Sequence, residues 1–242
     1  MTDFLKRNSV FIGLSLMLIV ALGIAVTLIP RGELHLFLCE RHTPARDKFF
    51  KYYTQVAEYL PYVLCLLIFL FGRAGHAALA ASCIAFSELT TQIIKHIVQA
   101  PRPLLWFANN YPDIHLPLVE GVKMNYLFSF PSGHTTSFFA LFFALTMVVT
   151  SLHQEHSKQK EPSYWHSFMY IIFIPCTLFI LAALGGYSRI YLSQHFAQDV
   201  LGGMSVGLVI SIICYSIFCR FEGQKWYNYH FFEKKVQKNL VE

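Results

Sequence analysis

Apolar residues in this chain run in long unbroken blocks separated by short polar clusters, with little two-fold or heptad alternation. The first block, 10–29, is an uncharged stretch of about 20 residues, enough to cross a bilayer at roughly 1.5 Å per residue. Lys6 and Arg7 precede it. The block exceeds a signal-peptide core and no small-x-small cleavage site follows, so it reads as an uncleaved anchor with a cytosolic N-terminus. Further blocks predict spans over 59–71, 76–98, 131–152, 168–186 and 196–218, giving about six crossings. A tight turn at Gly72-Arg73-Ala74-Gly75 joins the second and third. Pro175 is expected to kink the fifth span, and Gly203 with Gly207 to let the sixth pack closely on a neighbour.

The connections carry the rest of the polarity. Residues 30–57 mix Arg41, Arg46, Lys48 and Lys51 with Leu34, Phe37, Phe49 and Tyr53, which suggests a short external segment lying along the membrane surface. Residues 104–130, with Trp106, Phe107, Tyr111, His115, Lys123 and Tyr126, read as a loop anchored in the interfacial belt. The charged connector 153–166 reads as a cytosolic loop. The tail over 220–242, with Lys225, Lys234, Lys235 and Lys238, reads as cytosolic as well. No repeat divides the chain, so 1–242 is expected to be a single all-α domain, a polytopic membrane helix bundle.

Composition narrows the class further. With 55% hydrophobic and only 14% charged residues, an ordinary soluble domain is excluded. The net charge of +5 is scattered along the chain, so no nucleic-acid-binding stripe forms and no nucleic acid partner is expected. The six cysteines lack metal-ligand spacing, and Cys65, Cys83, Cys176 and Cys214 fall inside apolar runs as small core residues.

Polar residues stranded inside apolar blocks carry the candidate chemistry. Glu88, Gln92, Lys95 and Gln99 follow helical spacing and form one stripe that must face protein or a water-filled cavity, since charge facing lipid is expensive. Glu88 has two readings, structural hydrogen bonding or a role in tuning Lys95 and holding substrate. Ser132 is placed as an N-cap with Gly133 and His134 in the first turn, where unsatisfied amides aim at an anion. In the polar run 188–199, a helix beginning near His195 puts Asp199 on the same face, so one imidazole nitrogen meets a carboxylate and the other stays free. Arg189 nearby implies an anionic partner. His96 and His115 are the other candidate histidines, but neither has an acidic residue at helical spacing.

Counting crossings from a cytosolic N-terminus brings all three clusters to one outer face. Lys95-x6-Arg102-Pro103, Pro131-Ser132-Gly133-His134 and Ser188-Arg189-x5-His195-x3-Asp199, spanning the core 95–199, resemble the signature of the type 2 phosphatidic acid phosphatase family, which includes the vanadium haloperoxidases. The resemblance implies a bacterial inner-membrane lipid phosphate phosphatase with six spans, a periplasmic active site, and no metal or cofactor. It implies that His195 attacks phosphorus to form a phosphohistidine, that Asp199 orients it, and that His134 protonates the leaving alcohol. Lys95, Arg102, Arg189, the Ser132 hydroxyl and the Gly133 amide would hold the phosphate. Phosphatidylglycerophosphate, undecaprenyl pyrophosphate and lipid A phosphatases look alike at this level. A lipid phosphotransferase shares the first half-reaction and is the alternative; a lipid transporter or scaffold is the third reading. Ala100 stands where many family members carry an additional Arg, which disfavours a pyrophosphate substrate.

Overall fold

The structure, a computed structural model, describes residues 2–231 and is built of helices, with no strand among those residues. Lys234, Lys235 and Lys238 of the basic tail lie outside the described residues. A short α1 (Thr2–Arg7) leads into α2 (Ser9–Leu28), the first span. Then come α3 (Arg31–Cys39), α4 (Pro44–Phe71), α5 (Ala74–Val98) and α6 (Pro103–Asn110). The chain closes with α7 (Gly133–Gln159), α8 (Tyr164–Phe168), α9 (Ile174–Tyr191) and α10 (Ala197–Phe218). Six helical stretches are long and apolar enough to cross a membrane. Their outward faces carry Leu16, Val20, Ile24, Leu66, Ile93, Ile180 and Val209, all exposed, as a lipid solvent requires and water would not tolerate. This is a multi-pass membrane protein.

The core helix is α7, buried along most of its length and surrounded by α4, α5, α9 and α10. Phe138, Phe139, Phe142, Phe143 and Met147 fill the space around it. The Gly203-x3-Gly207 expectation holds for a specific reason. A Cβ on Gly203 would lie 2.6 Å from the Ser132 carbonyl oxygen, and one on Gly207 would lie 2.9 Å from that of Thr136. Only glycine lets α10 touch the α7 backbone.

The second and fourth spans have boundaries that differ from expectation. The helix of the second span begins at Pro44, where Thr43 Oγ1 accepts from Arg46 N at 3.3 Å and proline sits at N1. Residues 44–57, expected on the membrane surface, are helical and run without a break into the second span. Two of their polar side chains reach partners inside the bundle: Thr54 bonds Arg189, and Tyr53 Oη donates to the Leu181 carbonyl at 2.7 Å. The separate segment between the first two spans is confined to α3, which buries Leu34, His35 and Cys39. The fourth span continues to Gln159 instead of stopping near Leu152, so most of the expected 153–166 loop is helical. The fifth span carries a π-helical turn over Met169–Phe173, two residues before Pro175.

The two ends of the bundle differ in chemistry. At one end Arg7 pairs with Gln154 and, at 2.8 Å, with Tyr215 Oη, while Arg73 pairs with Glu155, so the N-terminus, the end of α7 and the end of α10 lie together. At the other end the last turn of α5, the start of α7, the end of α9 and the start of α10 converge. There His35 Nε2 lies 3.3 Å from Ser193 Oγ, and Tyr187 Oη donates to the Leu38 carbonyl, tying α3 to the end of α9.

Two measurements check this account. Gly203→Ala is expected to lower stability by about 1–3 kcal/mol, read as a lower melting temperature of the detergent-purified protein. Burial pushes the His35 imidazole down to about 4, opposed by Asp199 and reinforced by Arg31. An unfolded histidine titrates near 6.5, so the neutral buried ring stabilises the fold fully above that pH and loses this contribution as pH falls towards about 4. Melting temperature should therefore drop over that window, and His35→Gln should flatten the drop.

Candidate active site

Each motif sits at a helix end, where backbone groups lack intrahelical partners. Lys95 lies in the last turn of α5, which closes with Gln99 in the left-handed region at φ 48°. The chain then turns so that Arg102 becomes the N-cap of α6 with Pro103 at N1. Arg102 is fixed by three acceptors: Nε donates to the Leu127 carbonyl at 2.9 Å, and Nη1 to the Gln194 carbonyl and Gln194 Oε1 at 3.3 and 3.2 Å. Its own amide donates to the Tyr126 carbonyl, and Ser129 N to the Ala100 carbonyl. Residues 111–130, expected as part of an interfacial loop, are therefore strapped to the site through Tyr126 and Ser129. The 104–110 part of that loop lies in α6, whose Phe107 is buried beside Phe196.

At the start of α7, Ser132 Oγ accepts from Thr135 Oγ1 at 2.9 Å and Thr135 N at 3.5 Å. The hydroxyl expected to meet phosphate is fully buried in a capping role behind the site. Gly133 follows it, and a Cβ there would lie 3.4 Å from Lys95 Nζ. The ammonium thus stands directly against the helix N-terminus.

At the end of α9, Arg189 Nη1 donates to Thr54 Oγ1 at 2.6 Å and Nη2 to Gln194 Oε1 at 3.5 Å. The Arg189 carbonyl accepts from both Gln194 N and His195 N, folding the 192–196 segment back over the helix end. The helix expected near His195 starts two residues later, at Ala197. Asp199 is consequently its third residue. Asp199 Oδ2 accepts from Phe196 N at 2.8 Å, as an acidic N3 residue does, and from Ser129 Oγ at 2.6 Å. His195 Nδ1 lies 3.7 Å from that oxygen, within ion-pair range but beyond a hydrogen bond. Burial, with Arg102, Arg189 and Lys95 around it, holds the His195 ring well below the ordinary imidazole range, so it is neutral.

Lys95, Arg102, Gly133, His134, Arg189 and His195 all line one cavity of about 560 Å³. Ser132 and Asp199 stand directly behind its wall, joined to each other by Ser132 N donating to the Asp199 carbonyl at 2.9 Å. All eight residues singled out from sequence are thus in one place. His96 and His115 do not line the cavity. Glu88 lines it and accepts from Ser137 Oγ on α7, so it has a structural partner and a wetted face at once. Among the described residues no group of three or more His, Cys, Asp or Glu side chains is disposed to hold a metal ion.

Three contributors were missed from sequence. Gln194 occupies an unspecified position inside the third motif, yet its amide oxygen bridges both guanidinium groups. Ser129 precedes the second motif. Glu58, whose Oε1 lies 3.3 Å from His134 Nε2, is an acidic residue flanked on its C-terminal side by an apolar run, which was the one available signal.

The PAP2 superfamily profile matches residues 76–221, more than half of the chain. The chain is 34% identical over 105 residues to phosphatidylglycerophosphatase B of Bacillus subtilis (strain 168), covering 43% of this chain and 44% of that protein. It is 26% identical over 118 residues to the lipid A 4'-phosphatase of Porphyromonas gingivalis, covering 47% and 42%. The matches thus span less than half the length of either relative. The fold resembles the crystal structure of Aquifex aeolicus LpxE, with TM-score 0.55 and 24% identity over 76% of this chain and 93% of that one. It also resembles a transmembrane PAP2-type phosphatidylglycerolphosphate phosphatase from Bacillus subtilis, with TM-score 0.56 and 19% identity over 91% and 100% of the two chains. The profile match, covering the three motifs that the bundle gathers around one cavity, makes this chain a member of the PAP2 superfamily.

Proposed function

We propose that this protein is an integral-membrane lipid phosphate phosphatase acting through a phosphohistidine, with its site at the periplasmic face of a bacterial inner membrane and its termini in the cytosol. One observation carries the reading: three cationic side chains, a neutral imidazole and a second histidine share a single cavity at one end of a membrane bundle. A phosphate monoester brings up to two negative charges, and its displacement spreads charge over equatorial oxygens. Arg102 and Arg189 present fixed forks to those oxygens, Lys95 adds a point charge, and the Gly133 amide adds a donor.

The chemistry divides into two displacements. His195 Nε2 attacks phosphorus while Nδ1 faces Asp199, and the leaving alkoxide takes a proton from His134. Water, deprotonated by His134, then attacks the phosphohistidine and releases phosphate. With Lys95, Arg102 and Arg189 already supplying the positive charge, the reaction is proposed to need no metal, since a divalent cation in the same cavity would be repelled by all three. The related proteins named phosphatidylglycerophosphatase and lipid A 4'-phosphatase motivate a glycerol- or sugar-linked phosphate as the first substrates to test.

His195→Ala is expected to reduce phosphate release from phosphatidylglycerophosphate, phosphatidic acid or lipid A by more than about 10³-fold, and to abolish an acid-labile phosphoenzyme trapped by alkaline quench. A variant that keeps the parent's rate refutes the nucleophile assignment. Chelator should leave the rate within about twofold, since a bound metal ion would be worth several kcal/mol. Loss of activity restored by one divalent ion refutes the metal-free scheme.

A further inference from the structure

Glu58 enters the cavity from α4, four residues after Thr54, the partner of Arg189, so one face of that helix serves two of the three motifs. Its Oε1 lies 3.3 Å from His134 Nε2, and its side chain is half exposed. Such a carboxylate is not required as a buried structural ion pair. Its electrostatic surroundings are specific. Lys95, Arg102 and Arg189 line the same cavity and each repels a protonated His134, while Glu88 is engaged with Ser137. At about 4 Å, one unit charge acts on another with roughly 1 kcal/mol in water and about 4 kcal/mol near a protein surface. Without a nearby anion, the histidine assigned to deliver a proton has reason not to hold one.

We propose that Glu58 is a positioning residue for His134, its Oε1 meeting Nε2 so that the ring's direction is fixed before the alcohol departs. This rests on the phosphatase reading above. As the His195 Nε2–P bond forms and the P–O bond to the alcohol breaks, the His134 N–H bond breaks and its proton goes to the alkoxide oxygen. His134 is left neutral and Glu58 stays ionised. In the second displacement the attacking water returns a proton to His134, and the pair is restored.

The test compares a poor leaving group with a good one. An alkoxide needs the proton; a nitrophenolate leaves without it. The ratio of kcat/KM on octyl phosphate to kcat/KM on p-nitrophenyl phosphate is expected to fall about 10-fold or more in Glu58→Gln, in the direction shown by His134→Ala. Glu58→Asp, which keeps the charge, should recover part of the ratio. Combining Glu58→Gln with His134→Ala should add no further loss, because both act through one proton. An unchanged ratio in Glu58→Gln, whether from equal losses on both substrates or from parental rates, overturns the proposal, as do multiplying losses in the double variant. A parent that turns over neither substrate, or a His134→Ala variant with parental octyl phosphate turnover, overturns the phosphatase reading and this inference together.

Discussion

Like charges held close together at the end of an apolar bundle are the condition on which this architecture turns. Lys95, Arg102 and Arg189 share one cavity, and without ligand they repel one another in surroundings less polar than water. They stay in place because each guanidinium is tied to oxygens that do not move: backbone carbonyls for Arg102, and a threonine hydroxyl with a glutamine amide for Arg189. Gln194 is the shared tether, since its Oε1 accepts from both and its Nε2 is anchored by the Lys123 carbonyl at 3.2 Å. In the proposed reaction a bound phosphate dianion would relieve that repulsion. Burial, together with the same field, keeps His195 neutral, the state its proposed role as nucleophile requires.

Such precision needs helices that cannot slide. Gly203 and Gly207 bring the α10 backbone against α7, so the two helix starts carrying Ser132 and Asp199 meet through a backbone hydrogen bond. Membrane helices gain little from hydrophobic burial against one another, so close backbone packing and internal hydrogen bonds take over that role. α3 and the first turns of α4 brace the polar end of the bundle from outside, through His35 to Ser193 and Asp47 to Tyr191.

How much of this was legible in the chain depends on what each signal measures. Apolar block length reports partition between lipid and water, so the number of spans came through. It does not report where a helix begins once polar side chains have partners inside the protein. Thr54 and Tyr53 are satisfied that way, and the start of the helix at Pro44 went unseen for that reason. Periodicity found the Glu88 to Lys95 stripe because those residues share one helix. Glu58 and His134 belong to helices 76 residues apart in sequence, and no spacing rule joins them. Gln194 escaped for a different reason: an amide inside a motif carries no charge to attract notice, although its geometry binds two residues that do.

The Asp199 carboxylate sharpens what the site asks of its nucleophile. Helical spacing suggested a carboxylate free to follow the imidazole, but Oδ2 is pinned by Ser129 Oγ and Phe196 N, and His195 Nδ1 remains 3.7 Å away. Capping and orientation therefore compete for one oxygen. Attack on phosphorus in the proposed reaction changes that balance. The ring becomes positively charged as the N–P bond forms, attraction across the gap rises, and a small rotation of the ring brings Nδ1 within hydrogen-bond reach. Asp199 would then stabilise the phosphorylated ring more than the free one, which is the differential binding that lowers a barrier instead of merely tightening the ground state.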